Sequence, residues 1–255
     1  MLDASAFIGN WPFRRLPHST PETLEARLRR EGITSACVSP LEGLFDYDPQ
    51  PANAALGARL KSLPFFRFVP VLNPTLPNWE RALMLCQQQF AAVAVRLHPN
   101  YHGYDSQHAG ARALMQAANT RRLPVIVQLR MQDVRAMHPL AQVPDTDWKE
   151  ALALALFAPE TPVIVSACSW TEINALRPRL EDAPNLYLTL THAEYVDGVR
   201  RFVEKWGTHH LLFGTHAPLF TPTAARMKVE AACLNEADLH ALVRGNAEQI
   251  WKEGT

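Results

Sequence analysis

Leu211-Leu212-Phe213-Gly214-Thr215-His216-Ala217-Pro218 reads as a short apolar strand that ends in polar residues at a proline turn. Side chains alternate along a strand, so Leu212, Gly214 and His216 share one face. Seven similar apolar or β-branched runs precede it, at residues 2–8, 33–39, 65–72, 92–98, 124–130, 162–168 and 186–191, and this one covers 210–215. The stretches between them have helical period and helix-start chemistry. Thr20-Pro21-Glu22 offers an N-cap followed by proline at the first helical position, and Asn78, Thr171 and Asn235 are similar candidate caps. Such alternation implies parallel strands joined by right-handed crossovers. Eight repeats predict an α/β chain folded as a single (β/α)8 TIM barrel, one domain over residues 1–255. A doubly wound open sheet is the structural alternative, weakened because no Gly-x-Gly-x-x-Gly follows an early strand.

Composition narrows the function classes. The hydrophobic share of 47% suits one large core. Lys plus Arg and Asp plus Glu are both 25, so no global field favours nucleic acid or an anionic membrane. No apolar run approaches transmembrane length, and strand-like sequence begins at Leu2, which leaves no room for a signal peptide. Cys37, Cys86, Cys168 and Cys233 are scattered without a C-x-x-C pair and read as small buried hydrophobes in a reducing compartment. The expectation is a soluble cytoplasmic protein.

In a barrel the segments after each strand build the mouth that carries the chemistry. Here residues 9–19, 99–105 and 131–147 are long and rich in Pro, Arg, His and aromatic residues. The last is long enough to serve as a lid or binding loop and holds Arg130, Met131, Asp133, Arg135 and His138 at or near its start. Period-two alternation puts Asp3, Ser5 and Phe7 on one face of the first strand, with Leu2, Ala4, Ala6 and Ile8 on the other. It also pairs Arg96 with His98 and Gln128 with Arg130. Ser5, Arg96, His98, Gln128, Arg130 and His216 thus aim polar groups into one mouth. Each also has a structural reading, such as an ion pair of Arg96 with Asp3 or Glu42, or a hydrogen bond from His98 or Gln128 to a strand. His192, His209, His210, His18, His108 and His240 read as surface or helix-end residues.

Several motifs, in this order and spacing, resemble the amidohydrolase-related (amidohydrolase 2 type) TIM-barrel family. They are Ile8-Gly9, Val95-Arg96-Leu97-His98-Pro99, Phe213-Gly214-Thr215-His216-Ala217-Pro218, and Gly245-Asn246-Ala247 before Ile250-Trp251. The resemblance covers nearly the whole chain and implies metal-dependent hydrolases, decarboxylases, hydratases and lactonases acting on small, often carboxylated substrates. It also implies a first-strand His-x-His where Ser5 and Phe7 stand, and a fifth-strand histidine at Gln128. A sixth-strand histidine falls at about Ala167, and a last-strand aspartate at His216. On this resemblance the chain looks like a divergent member lacking the usual metal ligands.

Zinc needs three or four N, S or carboxylate ligands, which Phe7 and Ala167 cannot supply, and Arg96 adds a fixed positive charge. A new site from His98, His138 and His216 would lack a carboxylate. The expectation is therefore no cofactor, with zinc disfavoured. The functional expectation is a metal-independent, lactonase-like hydrolase, or a lyase, acting on a small anionic, carboxylate-bearing molecule. His216 would be the general base, with His98 and Gln128 beside it at the reacting centre. Arg96 and Arg130 would hold the carboxylate, with Tyr101 as a further donor and Arg14, Arg135 and His138 closing over the mouth. The alternative is a non-catalytic barrel, a pseudoenzyme binding a small anion or a partner protein. A Ser or Cys nucleophile finds little support, because no nucleophile elbow surrounds Ser5 or Cys168.

Overall fold

The computed structural model describes residues 1–252. The last three positions of the domain expected over residues 1–255 lie outside the described residues. Eight short strands run in chain order: β1 (Leu2–Ile8), β2 (Ser35–Pro40), β3 (Phe66–Phe68), β4 (Val95–Leu97), β5 (Val125–Gln128), β6 (Val163–Ser166), β7 (Leu186–Thr189) and β8 (Leu211–Leu212). The helices between and after them are α1 (Pro21–Arg29), α2 (Gln50–Leu60), α3 (Trp79–Phe90), α4 (Pro99–His102), α5 (Ala109–Thr120) and α6 (Trp148–Phe157). They continue as α7 (Trp170–Leu176), α8 (Gly198–Trp206), α9 (Pro222–Glu230), α10 (Glu236–His240) and α11 (Asn246–Lys252).

All strand pairs are parallel, in the orders β1-β2-β3 and β4-β5-β6-β7-β8. Backbone hydrogen bonds beyond the strand ends join the two sheets at both seams. On one side Val93 N–H donates to Phe68 O (3.0 Å) and Arg96 N–H to Pro70 O (2.8 Å). On the other, Ala4 N–H donates to Phe213 O (2.9 Å) and His216 N–H to Ser5 O (2.8 Å). This is the (β/α)8 barrel predicted from the alternation, with strands shorter than the apolar runs that encode them.

Parallel strands covered on both faces need apolar side chains on both, which Val125-Ile126-Val127 and Val163-Ile164-Val165 supply. Val125, Val127, Val163 and Val165 pack with the helices. Ile126 and Ile164 pack with Leu212, Val69, Leu2 and Ala4, against Ile250 and Trp251. Helix starts follow the local chemistry with two corrections. Thr20 and Asn235 cap α1 and α10 through their side chains. Asn78 makes no side-chain cap bond. For α7 the cap is Ser169 rather than Thr171, in a capping box with Glu172.

The expected faces of β1 also need correction. The β1–β2 register shifts between Asp3 and Ala6. Leu2 and Ala4 consequently join the cluster of Ile126 and Ile164, whereas Ala6 and Ile8 join the helix-facing core. An irregularity of this kind flips side-chain parity for everything beyond it. It also lets Ser5 and Phe7 reach the rim. The cysteines are all free, and three are buried as expected, but Cys233 is exposed. Among the described residues no helix is long and apolar enough to cross a membrane.

Candidate functional site

At the C-terminal ends of the strands, Arg96 is completely buried. Its Nε–H donates to Ser39 Oγ (2.9 Å), and Nη1–H donates to Ser5 Oγ (3.1 Å) and to Gln128 Oε1 (2.6 Å). Its guanidinium lies 4.3 Å from the centroid of the Phe7 ring. One side chain therefore ties β1, β2, β4 and β5 together through neutral acceptors. Burial pushes its pKa down, partly offset by the field of Asp3. Neither carboxylate considered as a partner is in an ion pair with it. Asp3 accepts from Ser5 N–H, Thr215 N–H and Thr215 Oγ–H, while Glu42 accepts from Asn10 N–H. Burial drives the Asp3 carboxyl up, against these three hydrogen bonds. Nη2 of Arg96 has no partner.

Two imidazoles flank the same Phe7 ring. The His98 ring lies 6.5 Å from it and the His216 ring 5.1 Å, both fully buried. His216 Nε2 sits 2.8 Å from Met131 O. A carbonyl only accepts, so Nε2 carries the proton and Nδ1 holds a lone pair. That Nδ1 has no partner, nor has either nitrogen of His98. Burial holds both rings well below the ordinary histidine value, reinforced at His98 by His102 and Arg96 and at His216 by His192 and Arg96. Both are neutral at pH 7. His216 also has a positive φ of 58°, a conformation that strains a non-glycine residue by roughly 1 kcal/mol or more. Its neighbour Gly214 meets a different demand. A Cβ there would lie 2.9 Å from Thr191 Cγ2, so only glycine lets the strand pass this close to the neighbouring rim.

Beside Arg96, hydroxyl groups form a connected layer. Ser5 Oγ and Ser166 Oγ are 2.8 Å apart, Thr189 and Thr191 are joined at 3.2 Å, and Thr191 Oγ1 accepts from Ala167 N–H (3.0 Å). Above the layer, Phe7, Trp11, Leu16, Leu41, Leu44, Met131 and Leu219 form an apolar cluster that covers the rim.

The structure brings Ser5, Arg96, Gln128, His98 and His216 together, with Tyr101 against His98, and places Arg130, Arg14, Arg135 and His138 elsewhere. Gln128 is spent on positioning: Oε1 accepts from Arg96 and Nε2–H donates to Arg130 O (2.7 Å). Arg130 does not share its face. The strand ends at Gln128, and the Arg130 guanidinium is captured by Glu172 on α7, by Asp145 (2.7 Å) and by Ala167 O (2.6 Å). It is thus already neutralised. Tyr101 packs edge-on against Phe45 and His98. Arg14 donates to Leu219 O (3.1 Å), and His138 stacks on Phe13 (5.5 Å). Arg135 is exposed and pairs with Asp133 (2.8 Å), two residues away. None of Arg14, Arg135, His138 or Arg130 reaches the Arg96 guanidinium.

Phe7 and His192 are the residues that sequence reasoning missed. Phe7 occupies the centre of the rim; its face shared with Ser5 and its place at a ligand position of the resembled family hinted at this, but not that the ring would fill it. The His192 ring lies 5.4 Å from that of His216 and 4.6 Å from Phe220. No local signal separates it from a surface histidine.

The amidohydrolase family model matches residues 46–252, most of the chain and all but the first two strands of the barrel. The chain belongs to the amidohydrolase family. No curated protein matches it. Solved structures share its fold at low identity. A 2,6-dihydroxybenzoate decarboxylase from Rhizobium superposes with a TM-score of 0.78 at 14% identity, covering 98% of each chain. A dihydroxybenzoic acid decarboxylase from a Polaromonas species, with bound manganese and 2-nitroresorcinol, gives 0.73 at 15% identity, covering 100% of this chain and 97% of the other. A 5-carboxyvanillate decarboxylase variant from Novosphingobium aromaticivorans, also with manganese, gives 0.76 at 11% identity, covering 98% and 96%.

The bound manganese of these two structures corrects the expectation of a site without a cofactor: a metal is what the comparisons point to. The residues of this rim do not fit one. Among the described residues no group of three or more His, Cys, Asp or Glu side chains could hold an ion. The Phe7 ring and the Arg96 guanidinium take up the centre, with the His98 ring 6.5 Å and the His216 ring 5.1 Å from Phe7, and no carboxylate joins them.

Proposed function

We propose that this amidohydrolase-family chain acts on a small carboxylate-bearing compound at the barrel rim, in a hydrolytic or lyase step. One observation carries the reading. Arg96 Nη2, both nitrogens of His98 and Nδ1 of His216 are buried without partners around a single phenyl ring. A buried unpaired polar group costs about 1–3 kcal/mol, more when charged, and four such atoms in one place are a site awaiting a polar ligand. Carboxylate oxygens accept from Arg96 Nη2–H in a charge-assisted bond and from the N–H of neutral His98.

In the hydrolytic form, the His216 lone pair at Nδ1 takes a proton from a water molecule as its oxygen attacks the carbonyl carbon. Arg96 stabilises the resulting oxyanion. On collapse the carbon–oxygen bond to the leaving group breaks, and His216 returns the proton to that oxygen. Met131 O fixes the ring by holding Nε2–H. Ser39, Ser5 and Gln128 position the guanidinium. The decarboxylases of like fold favour the lyase form for substrates whose carboxylate leaves. The apolar cover moves aside for a ligand to enter, since Arg96, His98 and His216 have no exposed surface.

A panel of lactones, esters and hydroxybenzoates, assayed with and without added manganese, tests the proposal. Substitution His216→Ala is expected to lower turnover at least 100-fold, the lower end for loss of a general base. Arg96→Met is expected to weaken binding of a carboxylate at least tenfold. Turnover unchanged in His216→Ala overturns the role of His216. A panel without turnover, together with an anion that raises Tm, favours a non-catalytic anion-binding barrel.

A further inference from the structure

A groove of about 910 Å³ opens beside the covered rim, lined by the loops after β5, β6 and β7 and by α8. Its charges are unequal. Asp133 is held by Arg135, Asp145 by Arg130 and Glu194 by Lys228, so each acid along the groove is already paired. Arg201 and Lys205, one helical turn apart on α8, line it and make no ion pair among the described residues. Like charges four residues apart on a helix repel, and they are offset only by the field of Asp197 at Arg201 and by the Trp206 ring, whose centroid lies 5.0 Å from Lys205 Nζ. Beside them the groove is aromatic. The Trp170 and Tyr195 rings lie parallel, 7° apart in plane, at 6.0 Å, and Trp206 also lines the groove. His192 both lines the groove and packs edge-on against His216. The groove therefore meets the covered site through one side chain.

We propose that this groove binds an aromatic carboxylate, its anionic group on Arg201 and Lys205 and its ring on the Trp170–Tyr195 face, with His192 as the inner door toward His216. Cations outside any ion pair beside aromatic surface recognise a planar anion, and apolar lining with a few convergent polar groups is the usual make-up of a small-molecule site. The role of the groove as a vestibule rests on the function proposed above. Its binding of the anion does not, and the two are separable by experiment.

Benzoate is the probe, titrated by tryptophan fluorescence against the full chain carrying Arg96→Met, which removes the rim's own carboxylate anchor, with benzamide as the uncharged control. Saturable quenching is expected, with benzamide at least tenfold weaker. The double substitution Arg201→Ala, Lys205→Ala, on an exposed helix face, is expected to raise the benzoate Kd at least tenfold. Added to the Arg96→Met chain, His216→Ala is expected to leave the Kd within twofold, because its side chain does not line the groove. A double variant that binds benzoate as tightly as the Arg96→Met chain overturns the inference, as does a folded Arg96→Met chain that shows no saturable quenching. Loss of the His216 effect on turnover, with groove binding intact, overturns only the function proposed above.

Discussion

Acid destabilisation should carry a contribution from each of the two rim imidazoles. His98 and His216 are held neutral by burial, whereas in the unfolded chain they titrate near about 6.5. With the folded pKa below the unfolded one, the unfolded chain binds more protons at low pH. The stability these groups contribute is complete above about pH 6.5 and declines as pH falls. Between pH 7.5 and 5.5, a histidine that stays neutral only when folded loses about 1.4 kcal/mol, so the pair accounts for about 2.7 kcal/mol. His192, pushed down to about 4 chiefly by burial, acts in the same direction, and Asp3, whose carboxyl burial pushes up, opposes it. A difference measurement removes these common contributions. The substitution His216→Gln leaves an N–H for Met131 O and no titrating group, so its acid loss should be smaller than the parent's by about 1.4 kcal/mol. Urea unfolding of both proteins at the two pH values gives the comparison. Equal losses would refute a neutral buried His216.

The rim makes further predictions. Phe7→Ala removes a fully buried ring and should cost about 3–5 kcal/mol in urea unfolding while opening space beside His98 and His216. A cost below 1 kcal/mol would mean that the ring does not fill the rim. Glu172→Gln leaves Arg130 with one carboxylate and should cost about 2–4 kcal/mol, with faster proteolysis of residues 131–147, which limited digestion reads directly. Gly214→Ala introduces the Cβ that meets Thr191 and should lower Tm by several degrees, without effect if the strand can shift.

Some of the site was legible along the chain because it depends only on local geometry. Period two places Arg96 with His98 on β4 and carries His216 to the same rim at the end of β8. Parity failed where local geometry is broken. The register shift in β1 moves Leu2 and Ala4 inward, and β5 ends at Gln128, after which Arg130 turns to Glu172. That acid is forty-two residues away and reaches Arg130 only because α7 starts beside β5. Arg14, Tyr101, Arg135 and His138 were placed by loop composition alone, and composition says nothing about which neighbour a long side chain will find.

By itself, then, the sequence determined the (β/α)8 barrel, the family and the residues that end its strands, because apolar period and strand order are properties of adjacent residues. Tertiary structure alone decided that Phe7 fills the rim, that Arg96 is held by three neutral acceptors and that His192 joins an open groove to His216. These relations depend on side chains from different strands meeting in a packed, low-dielectric interior, where each group's charge and hydrogen bonds are set by neighbours distant in the chain.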